Sequence, residues 1–432
     1  MQNRKTIFGW AMYDWANSAF ATSVMAGFFP IFFKQYWSVG ADPVVSTARL
    51  GLANSIAGIV VALLAPILGA IADKGNSKKR FLICFAYLGV VMTAALSLVS
   101  KGNWPLAAGL FVCATIGFSG GNIFYDAFIT TVAPKNREDF ISALGFSLGY
   151  LGGGLLFALN VWMTLSPTTF GFADTGEAVR FSFLLVGIWW AVFTIPLLLF
   201  VSEPEGDDTA SDVNMITAGF HQLRDTFHEI RHLKTISLFL IAYWLYIDGV
   251  DTIIRMAVDY GMSIGLATTD LLQALLITQF VGFPAAIGFG YLGGKIGAQR
   301  AILMVIIIYF FVSIWAAFLD TQREFYTLAV IIGLTLGGIQ ALSRSLYARI
   351  IPSDKSAEYF GFYNMLGKFA AVIGPVLMGG VGLLVRDLGY SSDLASRASI
   401  ASISILFIAG GILFSFVDEE KGKQEAQYLS QN

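Results

Sequence analysis

The chain is written in long apolar runs separated by short polar ones. Runs of roughly 18 to 28 residues, enough to cross a hydrocarbon core of about 30 Å as helix, recur near 8–36, 48–72, 81–99, 105–133, 140–164, 181–201, 236–258, 271–293, 301–319, 325–350, 358–385 and 399–417. They do not alternate apolar and polar at period two, as barrel strands would. The pattern predicts an all-α membrane protein of twelve transmembrane helices. The longest polar connection divides them six and six. That gives an amino-terminal bundle over 1–201, a linker over 202–235, a carboxy-terminal bundle over 236–418 and a tail over 419–432. The linker opens on SEPEGDDTASD and then places Ile216, Phe220, Leu223, Phe227 and Ile230 three or four positions apart, an amphipathic helix at the membrane surface.

Composition agrees with a lipid solvent, with 56% of the residues hydrophobic and 13% charged. A net charge of -2 supplies no basic face for nucleic acid. Cys84 and Cys113 stand alone in separate apolar runs, so neither a disulfide framework nor a metal-ligand spacing is implied. Arg4 and Lys5 precede an apolar run too long for a signal-peptide core, which reads as an uncleaved first span. Placing the amino terminus in the cytosol puts most of the 27 Lys and Arg residues on that side, most clearly DKGNSKKR at 73–80. Both termini are therefore expected in the cytosol, and the protein in the inner (plasma) membrane if the source is prokaryotic. His221, Asp225, His228 and His232 follow 4-3-4 spacing in the linker. Such a stripe can share an ion between helical turns, but beside Arg224, Glu229 and Arg231 it also reads as a solvated polar face, and neither metal nor cofactor is expected.

The two halves repeat. Trp10, Asp14, Asn17 and Ser18 recur as Trp244, Asp248, Asp251 and Thr252 at an offset of 234. GAIADKGNSKKR after span two is echoed by GYLGGKIGAQR after span eight, aligning Gly69 with Gly290, Asp73 with Gly294 and Lys74 with Lys295. At an offset of 218, Asn122 matches Gln340, Asp126 matches Arg344, Pro134 matches Pro352, and Gly149 and Tyr150 match Gly367 and Lys368. Two pseudo-symmetric six-helix bundles in the same orientation are the plan of the major facilitator fold.

The residues carry a closer resemblance. YDWANSAF in span one, the GxxxDK loop after span two, and GNIFYDAF and GFSLGYLGGG resemble the vacuole-effluxer family of that superfamily over essentially the whole chain. Its familiar fungal members resemble exporters of amino acids from the vacuole, and many bacterial relatives have no assigned substrate. In DKGNSKKR the glycine falls one position early and the basic pair one late relative to the superfamily's gating pattern. The resemblance marks Asp73, Lys74, Lys295 and Arg300 as gating residues. GPVLMGG at 374–380 is similar to the glycine-proline motif of antiporters, which in that superfamily belongs to span five, here to span eleven.

Charge placement points to chemistry. A lipid-facing ion costs several kcal/mol, so ionisable groups belong on helices that line water or are buried against protein. Spans three, six, nine and twelve carry none; Asp14, Asp126, Asp248, Asp251, Arg255, Arg344 and Lys368 occupy one, four, seven, ten and eleven. Counting about 1.5 Å per helical residue puts Asp14, Asp126, Arg344 and Lys368 roughly 12 to 15 Å deep. Two charges of each sign at one level suit a zwitterion. Asp14, Asn17, Asn122, Asp126, Asp251, Gln340, Arg344 and Lys368 are the expected solute-binding residues, with Asp14 or Asp248 carrying a proton. Asp126 and Arg344 also read as a latch between the halves, and Asp251 and Arg255 as a pair along their own helix.

The sequence thus describes a monomeric secondary active transporter that moves a small organic solute, an amino acid or related zwitterion, by alternating access coupled to protons or another ion. A cationic solute such as a polyamine, drug or metal is the alternative within transport, using the four carboxylates. A non-transporting receptor or scaffold of the same fold would have no use for the buried charges. No GxxxxGK[ST] motif marks an ATP-driven pump, and an intramembrane hydrolase would lack histidine; no enzyme is expected.

Overall fold

The computed structural model describes residues 2–41, 43–74, 77–203, 233–263, 267–369 and 373–431. Among these the secondary structure is helical: α1 (Gln2–Ala19), α2 (Pro43–Lys74), α3 (Lys78–Ala95), α4 (Trp104–Ala127), α5 (Glu138–Leu165), α6 (Thr175–Phe200), α7 (Lys234–Ser263), α8 (Thr268–Ile296), α9 (Ala298–Ala316), α10 (Gln322–Ile350), α11 (Ser356–Phe369), α12 (Ile373–Asp387), α13 (Ser392–Ala401), α14 (Ser404–Ser415) and α15 (Glu419–Gln431). Eleven stretches of the described residues are long and apolar enough to cross a membrane. They match the expected spans except 358–385, where α11 and α12 lie on either side of residues 370–372, outside the described residues. Most of linker 202–235, with its amphipathic stretch and the His221, Asp225, His228 and His232 stripe, also lies outside them.

Helix ends follow local chemistry. Asp174 caps α6 by accepting the Glu177 amide at 2.8 Å. Thr321 and Glu324 form a reciprocal capping box at the start of α10. Span one departs from regular winding: after α1 the chain turns as π-helix over Phe20–Phe28 and again over Phe33–Trp37, a geometry frequent near functional sites. Apolar periodicity does not distinguish that winding from α-helix.

The contacts divide the chain into two units. The first holds Met1–Ala133, Leu144–His221 and Ser356–Gly361; the second holds Pro134–Ala143, Gln222–Lys355 and Phe362–Asn432. Relative to the sequence halves, each unit includes a short helical start from the other. In the first, the backbone of Ala357 fills the notch at Gly69 on α2, where a side chain would collide with it. In the second, Ala143 and Phe140 of α5 occupy the equivalent notch at Gly290 on α8. The tail forms α15, fastened to α7 by Thr235 Oγ1 donating to Glu425 at 3.2 Å.

Candidate functional site

In the first unit the YDWANSAF segment packs on α4 and α5. Asp14 is buried, 8% exposed, and its Oδ2 accepts the Tyr125 hydroxyl at 2.9 Å. Tyr125 is itself held in two ways: its ring stacks on Trp10 at 4.6 Å, and its carbonyl accepts the Trp10 indole N–H at 2.9 Å. Three residues on from Asp14, Asn17 Nδ2 donates to Asn122 Oδ1 at 2.6 Å. Gly149 lets α5 approach: a side chain there would run into Ser18 Oγ and the Asp14 backbone. Asp126, on the turn of α4 after Tyr125, is buried. The expected residues Asp14, Asn17 and Asn122 are thus brought together as a polar seam between spans one and four, with Tyr125 as a member that the reading of charges overlooked.

In the second unit Asp248 is fully buried and faces different donors. Its Oδ2 accepts the backbone N–H of Ile373 and its Oδ1 that of Gly374, both at 2.9 Å, and Thr252 Oγ1 adds a bond to Oδ1 at 3.1 Å. Both oxygens of the carboxylate are therefore engaged, one by a backbone amide and the other by a backbone amide and a hydroxyl. Gly374 is required by this fit, because a Cβ would overlap Thr252 Oγ1. Asp251 and Gln340 are half-buried. Arg344 is 2% exposed; its Nε donates to Ser142 Oγ at 2.9 Å and its Nη2 to the Ser142 carbonyl at 2.8 Å. In the same unit Tyr363 stacks between Tyr243 and Tyr347, with ring centroids 4.2 and 5.2 Å away, and Tyr246 bonds Ser343 at 2.7 Å. The paired tyrosines of YWLY and YFGFYN were the available signal for this cluster. Lys368 lies on α11, and its side chain, like those of Lys74 and Arg255, is outside the described residues.

The gating positions divide similarly. Asp73 accepts the amides of Ala357 and Glu358 at 3.2 and 2.8 Å and pairs with buried Lys78 at 2.7 Å, while Lys78 also donates to Ser356 at 2.8 Å. This carboxylate caps a helix start, that of α11. In the second unit the position aligned with Asp73 is Gly294, and the acid comes from α5 instead: Asp139 pairs with Arg349 at 2.7 Å and accepts Ser345 Oγ. Arg349 is shared with Glu419 of the tail, at 2.7 Å. Burial pushes the Glu419 carboxyl up, but the Arg349 guanidinium and Lys423 outweigh it and hold the group below the usual glutamate range. Lys295 and Arg300 are exposed. Among the described residues no three His, Cys, Asp or Glu side chains converge as metal ligands would.

Comparison with known proteins places this geometry. Residues 43–427 match the family described as vacuole effluxer Atg22 like. The chain is 37% identical over 422 residues to the uncharacterised MFS-type transporter YxiO of Bacillus subtilis, covering 97% of this chain and 96% of the relative. It is 27% identical over 447 residues to autophagy-related protein 22 of Yarrowia lipolytica, covering 83% and 73%. Among solved structures, the proton:xylose symporter XylE superposes with a TM-score of 0.69 at 13% identity, covering 99% of this chain and 98% of that one. At that identity the likeness shows the fold, which is that of the major facilitator superfamily.

Proposed function

The chain belongs to the vacuole effluxer Atg22-like family, and from that premise we propose that it moves an amino acid or related zwitterion by alternating access coupled to protons. Relatives of MFS type are transporters of the lipid bilayer, so solute class and coupling are what this reading adds. The observation that carries it is the buried Asp14 carboxylate, held by a phenol in a seam of asparagines. An acid kept deep in a membrane helix costs stability unless it is used. Asp14 takes up the proton, because its described partner is a hydroxyl that can either donate or accept and so can serve both protonation states. Asp248, held by two backbone amides and a threonine hydroxyl, is the anchored acid and not the carrier. Asp14, Asn17, Asn122 and Asp126 would meet the solute's ammonium; Arg344 or Lys368, with Gln340 and Asp251, its carboxylate. Asp126 and Arg344 bind rather than latch, and Asp73 with Lys78 gates.

Proteoliposomes loaded with a pH-sensitive dye test this. An equimolar mixture of the common amino acids added outside should drive a proton flux that protein-free vesicles lack. A flux elicited by polyamines and not by amino acids would favour the cationic solute, for which the tyrosine series Tyr243, Tyr363 and Tyr347 offers aromatic faces.

A further inference from the structure

Between α9 and α14 runs a groove of about 370 Å³ lined almost wholly by apolar atoms. Ile306 and Phe407, buried, form its floor, and Ile307 and Ile412, each 56% exposed, its rims. Gly411 keeps it open: a Cβ there would already reach within 3.2 Å of Ile306. The one hydroxyl in the lining, Ser415 Oγ, is spent on the Ile412 carbonyl at 2.7 Å. Nothing remains to hold water, so at this depth the groove is dry or filled by hydrocarbon.

One end of the groove is marked by charge. Leu303 and Ser415 line that end, and just beyond them Gln299 Nε2 ties α9 to the Val417 carbonyl at 2.6 Å. Close to this tie along the chain are two exposed cations: Arg300, next to Gln299, and Lys421, four residues beyond Val417 on the first turn of α15. Arg300 falls on the same helical stripe as Leu303 and Ile307, one turn outward. Neither side chain makes an ion pair with a described residue. The carboxylates beside Lys421 are engaged elsewhere: Asp418 caps α15, accepting the Lys421 amide at 3.1 Å, Glu419 pairs with Arg349 at 2.7 Å, and Glu420 pairs with Lys423 at 2.8 Å. An apolar slot opening at a pair of uncompensated cations has the chemistry of an anionic phospholipid: chain inward, phosphate at the mouth. We propose that this groove binds the acyl chain of an anionic phospholipid, with its phosphate held by Arg300 and Lys421. The site is separate from the seam of Asp14 and does not depend on what the protein transports.

Native mass spectrometry of the full chain in detergent, titrated with phosphatidylglycerol or with phosphatidylcholine of the same chains, reads the site directly. Phosphatidylglycerol should bind at least about tenfold more tightly. Arg300→Gln and Lys421→Gln should each weaken it roughly fivefold, as expected for one cation near a membrane surface, without shifting the thermal unfolding of the protein. Gly411→Leu should fill the groove and remove the adduct. Equal binding of the two lipids, or a preference untouched by both surface substitutions, would overturn the proposal. So would displacement of the lipid by inorganic phosphate alone, or a dimer abolished by Gly411→Leu, which would give this face to a second copy of the chain.

Discussion

Asp14 and Asp248 occupy equivalent positions in the two halves, 234 residues apart, yet the protein surrounds them differently. Asp14 accepts a side-chain hydroxyl that is itself positioned by stacking on Trp10. Asp248 accepts two backbone N–H groups and a threonine hydroxyl. The difference has a local origin. The counterpart of Tyr125 is Ser343, a short side chain engaged with Tyr246. A duplicated acid has thus kept an exchangeable side-chain partner in one half and taken fixed backbone donors in the other. Charge at a repeat position therefore does not specify a role; the donors facing it do.

The largest effect expected from this contrast is on stability. Asp248→Ala strands the amides of Ile373 and Gly374, and at about 1 to 3 kcal/mol for each unsatisfied buried group the protein should lose roughly 2 to 6 kcal/mol, read as a steep fall in detergent unfolding temperature. Asp14→Ala, which strands the Tyr125 phenol, should lose less. Equal losses would erase the distinction.

A smaller effect separates the hydroxyl donors. Tyr125→Phe removes the partner described for Asp14 and should lower proton-driven uptake about tenfold, the consequence of some 1.4 kcal/mol, within the range for a hydrogen bond to a charged group. Thr252→Val removes one of the three described donors to Asp248 and should leave uptake within about twofold. The reverse order would exchange the roles assigned to the two acids.

The sequence made the spans legible because each is a local property, an apolar run long enough to cross. It also made the repeat legible through Trp10 and Trp244 and the glycines at 69 and 290. Partners were not legible where the chain returns from far away: Tyr125 meets Asp14 across 111 residues and Ser142 meets Arg344 across 202. Opposite charge at matched depth suggested Asp126 for Arg344, but gave no hint of the bonds that Arg344 makes to Ser142, because serine is a residue type that carries no such signal. Similarly, Gly294 in place of Asp73 removes an acid from the second loop, and nothing in the loop announces that Asp139 on α5 supplies one to Arg349 instead.

That second pair of ends gives the smallest expected effect. The Glu419 carboxyl is held below its usual range in the folded protein, first against the burial that pushes it up, by Arg349 and Lys423. A group so held contributes fully above its unfolded value of about 4.3 and loses its contribution as the pH falls through the folded value. Unfolding temperatures of the parent and Glu419→Gln should therefore differ near neutral pH, by the equivalent of about 1 kcal/mol, and converge in acid. A gap that persists at low pH would show that the residue acts by packing alone.

The proton assignment is tested most directly by Asp14→Asn in proteoliposomes. With the amino-acid mixture supplied as radiolabel, uptake driven by a pH gradient should be abolished while counterflow exchange stays largely intact, since the amide imitates the protonated acid. Gradient-driven uptake equal to that of the parent protein would contradict the account.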